Sequence, residues 1–158
     1  MAQALVLGWE EWIALPGLGL PAIKAKVDTG AKTSALHAFI IEPFGPPGRP
    51  SVRFGVHPAP RRPEIELYCT AAVVDTRDVT SSNGERERRY VIMTTLAIAG
   101  EQWPIEVTLT NRAEMSYRML LGRQALKPGI LIDPAVSFHQ PRLNYKLYGI
   151  KRRKAKPA

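Results

Sequence analysis

The sequence predicts an all-β domain, a small closed or partly closed barrel with one short helix. Three observations carry this. Apolar residues recur at every second position over most of the chain, the period of a strand with one buried face. Asn-Gly, Gly and Pro punctuate the alternation where hairpins need turns. Helical periodicity is confined to one stretch, "GRQALKPG". With 158 residues, 45% hydrophobic and 23% charged, the chain suits one domain with a substantial core, assigned to residues 1–150.

In "PAIKAKV" Ile23, Ala25 and Val27 share one face of a strand, and Lys24 and Lys26 the other. Half of the fourteen prolines fall in residues 43–63, which predicts an extended insertion around at most one short strand near Val52 to Val56. "EIELYCTAAVVD" reads as a longer strand with Ile65, Leu67, Cys69, Ala71 and Val73 on one face. A polar loop follows at residues 76–89 with a turn signal at Asn83-Gly84, then a hairpin over residues 89–110 turning near Gly100-Glu101. The short helix is expected within residues 122–129, stopped by Pro128 and Gly129.

A formal charge of +8 points to an anionic partner: nucleic acid, a ribosome or an acidic polypeptide. The basic end, residues 151–158, fits a solvated tail and a docking arm equally well. No apolar run reaches the length of a membrane span, and the N-terminus lacks the features of a secretory leader, so the expected location is the cytoplasm. Cys69 alone can form no intrachain disulfide and reads as a buried structural thiol. His37, His57 and His139 lack paired ligand spacing and no phosphate-binding glycine loop is present, so neither metal nor nucleotide cofactor is expected.

"KVDTGAKTSALHA" ends an apolar strand in Asp28, Thr29, Gly30 and Ala31. A surface turn would need the glycine, but not this aspartate. Downstream, "MLLGRQAL" places the apolar pair Leu120 and Leu121 directly before Gly122 and Arg123. The two motifs, in this order, resemble those of retroviral-type aspartic proteases, where the second packs behind the catalytic loop formed by the first. With "LGWEEWIALPGLGLPAIKAKVDTGAKTSALHA", "VTSSNGERERRYVIMTTL" and "NRAEMSYRMLLGRQAL", the chain is similar over nearly all of residues 7–140 to the RimB family. These are retropepsin-like endopeptidases found with RimK-type glutamate ligases, and some carry the label ATP-dependent zinc protease. The resemblance implies a retropepsin-like barrel and a cytoplasmic aspartic endopeptidase. Its expected substrate is the poly-glutamate tail that a RimK-type ligase adds to a small-subunit ribosomal protein.

Hydrolysis by carboxylates needs two of them, one ionised to activate water and one protonated to polarise the scissile carbonyl. The chain offers one suitable aspartate, so the resemblance implies a homodimer that pairs Asp28 with its copy. Thr29 would brace the loops across the dimer, and Gly30 lets a backbone amide approach the carboxylate. Ala31, where pepsins carry serine, removes one hydrogen bond to the ionised form and should leave the pair less acidic. Lys32 stands where retroviral enzymes commonly have an acid. With Arg123 it either meets an acidic substrate or is solvated beside a structural arginine. The loop around Ser81 to Gly84, which includes Ser82 and Asn83, with Arg86, Arg88 and Arg89 nearby, is either a flap over the substrate or an ordinary exposed hairpin. The other class of function is a non-catalytic basic β-barrel adaptor binding ribosome or RNA. It accounts for the charge but not for the two motifs, and aromatic residues are only 8%.

Overall fold

A computed structural model describes residues 5–81, 83–112 and 116–149. The expected basic tail, residues 151–158, and Ser82 lie outside the described residues.

Eleven strands and three 3-10 turns form the described chain. The strands are β1 (Val6–Gly8), β2 (Glu10–Leu15), β3 (Leu20–Asp28), β4 (Ser34–His37), β5 (Ile40–Phe44) and β6 (Ser51–Val56), followed by β7 (Leu67–Thr80), β8 (Arg86–Ile98), β9 (Glu101–Thr110), β10 (Met119–Gly122) and β11 (Leu131–Asp133). Nine of them make one sheet in the order β2-β3-β10-β4-β9-β8-β7-β6-β5. A bridge between Ala14 and Ala97 joins β2 to β8, so the first six close into a ring. The inner side of that ring is the core. Ile13, Leu15, Ile23, Leu36, Ile92, Leu109 and Met119 are fully buried there. Period-two alternation explains the choice: on β3, Ala25 is buried and Val27 nearly so, while Lys26 is exposed.

The predicted hairpin is present as β8 and β9, closed by a two-residue turn at Ala99 and Gly100. Both have positive φ (57° and 78°), the geometry that matches strand twist in tight hairpins. Cys69 is buried as expected and its thiol donates to the Leu18 carbonyl at 3.3 Å.

Two expectations need correction, on the short helix and the polar loop, and the proline-rich stretch gains a detail. The short helix of residues 122–129 is only a 3-10 turn, Arg123–Ala125, because Leu126 is already extended and Pro128 follows. The proline-rich stretch of residues 43–63 holds the one expected strand, β6, but its first two residues, Pro43 and Phe44, end β5, which pairs with β6. Pro43 is tolerated within β5 because β5 is the outermost strand of the sheet, where its missing N–H costs no ladder bond. The polar loop of residues 76–89 shrinks to residues 81–85, since β7 and β8 pair as far as Thr80 and Arg86.

Beyond the ring, β1 and β11 pair in parallel. The fully buried Glu11 carboxylate accepts three backbone N–H bonds, from Gly8 (2.7 Å), His139 (2.9 Å) and Gln140 (3.1 Å), and so ties both ends of the described chain to β2.

Candidate active site

β3 ends at Asp28, the chain turns through residues 29–33, and β4 begins at Ser34. β10 runs between these two strands, parallel to β3 with Gly122 opposite Asp28, and antiparallel to β4. The loop that carries the aspartate therefore straddles the end of a strand from a distant part of the sequence.

That straddling explains the second motif. A Cβ placed on Gly122 would lie 2.6–2.9 Å from the Thr33 backbone, too close for any side chain, so only glycine lets β10 press against the loop. The Gly122 N–H donates to Ser34 Oγ at 3.1 Å. The Arg123 and Gln124 amides donate to the Ala31 and Lys32 carbonyls at 2.8 and 3.1 Å. The Arg123 guanidinium reaches the Gly30 carbonyl at 3.3 Å and the Thr29 carbonyl at 3.5 Å. Arg123 is thus a clamp on the loop backbone, although its side chain is also exposed.

Within the loop, the Asp28 carboxylate accepts the Gly30 amide at 3.1 Å, and the Ala31 amide donates to the Asp28 carbonyl at the same distance. Asp28 is half-buried, whereas Thr29, Gly30 and Lys32 are exposed. The carboxylate therefore sits at an open face, oriented from behind by backbone groups.

The supports beneath this loop carry no signal in the local sequence. Ser34 is buried, and besides holding Gly122 it offers its carbonyl to Thr108 Oγ at 3.0 Å. Trp103 Nε1 donates to the Ala125 carbonyl at 2.8 Å and anchors the 3-10 turn after Arg123. Every residue of β4 is buried, so no alternation singles out Ser34, and nothing local signals its partners.

The predicted flap stretch is the tip of the β7–β8 hairpin. Asn83 Oδ1 accepts from Ser81 Oγ and from the Glu85 amide, and Gly84 has φ +85°, so Asn83 shapes the turn. Arg86 and Arg88 pair with Asp78, and the buried Arg89 pairs with Glu87. These arginines are matched inside their own hairpin, whereas Lys32 makes no ion pair among the described residues.

Among the described residues, no group of three His, Cys, Asp or Glu side chains could hold a metal ion. His57 pairs with Glu66 and His139 with Asp133, one carboxylate each, and His37 is buried on β4. This donor set does not fit a zinc centre. Nor is any helix here long and apolar enough to cross a membrane among the described residues.

An all-β ring with a single aspartate on a loop straddling an apolar-apolar-Gly strand defines a retropepsin-like protein. The chain belongs to the RimB-like family: the model described as retropepsin-like aspartic endopeptidase RimB matches residues 6–143. It is 48% identical over 153 residues to a probable alpha-L-glutamate ligase of Shewanella halifaxensis, covering 94% of this chain and 33% of that protein. A protein of the same name from Parasynechococcus marenigrum is 49% identical over 140 residues, covering 89% and 30%. The chain thus spans about a third of the length of these curated relatives. The crystal structure of a Legionella pneumophila protein of unknown function superposes with a TM-score of 0.71 at 29% identity, covering 85% of this chain and 97% of that one.

Proposed function

We propose that the chain is an aspartic endopeptidase, active as a homodimer, that cuts acidic C-terminal tails of the kind a RimK-type ligase adds to a small-subunit ribosomal protein. The observation that carries this reading is Asp28 itself: a half-buried carboxylate at an open face, fixed by the Gly30 amide and braced from behind by Gly122 and Arg123. The loop of residues 28–33 supplies one carboxylate, and the chemistry requires two. A second copy related by a two-fold axis supplies the other. One carboxylate, ionised, then takes a proton from water as it attacks the scissile carbon. The other, protonated, donates to the carbonyl oxygen. Held close together, the two share a proton and titrate as a pair.

An acidic substrate is supported by the exposed Lys32 within the loop and by the charge of +8. The relatives' name, probable alpha-L-glutamate ligase, supports glutamate as the residue involved and a ligase of that type as the partner. The β7–β8 tip serves as the flap in this reading, and the cytoplasm is the proposed place of action.

The test is mass spectrometry of a peptide ending in several glutamates after incubation with wild type, with Asp28→Asn, and with wild type plus a chelator. Cleavage that survives the chelator and vanishes in the variant is the expected result. Absence of cleavage by wild type across a range of concentrations would favour the non-catalytic adaptor.

A further inference from the structure

A cleft of about 520 Å³ opens between the outer face of β2 and β3, residues 58–62, residues 116–118 and Tyr145. None of residues 28–33 lines it, so it is separate from the candidate active site. Its size falls within the roughly 300–1,000 Å³ of small-ligand sites. Four cations face it, Lys24, Arg61, Arg62 and Arg118, against one acid, Glu10.

The cations are not balanced from within. Glu10 is nearly buried and takes the Tyr117 hydroxyl at 2.5 Å. Burial and that carboxylate push the Tyr117 hydroxyl up to about 12, so it remains a donor and Glu10 remains occupied. Arg62 pairs with Glu64. Among the described residues, Lys24, Arg61 and Arg118 make no ion pair. The Lys24 ammonium instead lies over the Trp12 and Phe138 rings, 5.3 and 5.9 Å from their centroids. Arg118 Nε is buried with no hydrogen-bond partner. A buried donor left unpaired is unfavourable, and Arg118 also lines the cleft, where an anionic oxygen can meet its guanidinium.

We propose that this cleft binds the carboxylates of an acidic peptide segment, as a second contact for the chain that Asp28 is proposed to cut. Only the identity of the ligand rests on that reading. Lys24, Lys26 and Asp28 alternate on one face of β3, and four residues of strand span about 13 Å. Lys26, between them, is exposed. A tail with about four or more acidic residues beyond the cleaved bond is long enough to bridge the two sites.

The experiment titrates a fluorescent hexaglutamate peptide into the full chain carrying Asp28→Asn, with and without Lys24→Gln plus Arg61→Gln, and uses inorganic phosphate as competitor. Binding is expected to weaken tenfold or more on removal of the two charges, and phosphate at the peptide's carboxylate concentration should not displace the peptide. Unchanged affinity overturns the proposal, and displacement by phosphate reduces the cleft to a general anion site, which also overturns it. Should the paired substitution impair folding, Arg61→Gln alone, at an exposed side chain, is read in the same way. Peptide binding without cleavage by wild type would remove the peptidase reading and leave the cleft. Cleavage with no dependence on the cleft charges would do the reverse.

Discussion

At the scale of single residues, the site rests on contacts that tolerate little change. Asp28→Asn keeps the side-chain oxygen that meets the Gly30 amide but removes the ionisable group, so on the proposed mechanism the variant should fold normally and lose the proposed hydrolysis at least a thousandfold, read by peptide mass spectrometry against thermal melting. Gly122→Ala pushes a methyl into the Thr33 backbone and should cost roughly 1–3 kcal/mol in urea unfolding. Arg123→Gln removes a charged donor from the Thr29 and Gly30 carbonyls. Its expected signature is a fall in kcat with little change in KM, because the loop is loosened while the substrate's contacts remain. Burial pushes the Cys69 thiol up to about 11 from 9.0, so at neutral pH its thiolate fraction drops about a hundredfold. Labelling by a thiol reagent should therefore be slow in the folded chain and fast in urea. Asp28, Gly122 and Arg123 were all legible in the sequence because each carries a constraint that few other residue types meet.

At the scale of elements, legibility followed periodicity. β3 and β9 carry apolar residues at every second position, Ile23, Ala25 and Val27 on one and Trp103, Ile105, Val107 and Leu109 on the other, so these faces and the β8–β9 turn are readable even where closure of the ring buries the alternate positions too. The segment after Gly122 reads as a helix in the sequence because the five residues before Pro128 suit a helix and a 3-10 turn alike, and only the extended Leu126 decides between them. β5 was unreadable for the opposite reason: Pro43 argues against any strand, and only its place at the sheet edge makes it permissible. The Glu11 clamp is the clearest element-scale device that local reading missed. Three N–H groups from Gly8, His139 and Gln140 converge on one fully buried carboxylate. Glu11→Ala would strand all three donors, and a loss of about 3 kcal/mol or more is expected. Amide exchange at His139 and Gln140 should rise well before the ring itself opens.

At the scale of the whole molecule, the proposed catalyst is a pair of chains, so specific activity should rise with protein concentration and saturate as the dimer fills. Sedimentation at the same concentrations should show the same midpoint, and activity independent of dilution into a monomer range would remove the shared-carboxylate mechanism. The sequence by itself determined the all-β class, the aspartate at the end of an apolar strand and the glycine-arginine pair behind it, because strand period, turn chemistry and close packing act through residue type and short spacing. Tertiary structure alone decided that β10 threads between β3 and β4, that Ser34 and Trp103 brace the loop, and that Lys24, Arg61 and Arg118 meet around one cleft. Those groups lie tens of residues apart, and their meeting is fixed by closure of the ring and burial of its core, which no local pattern encodes.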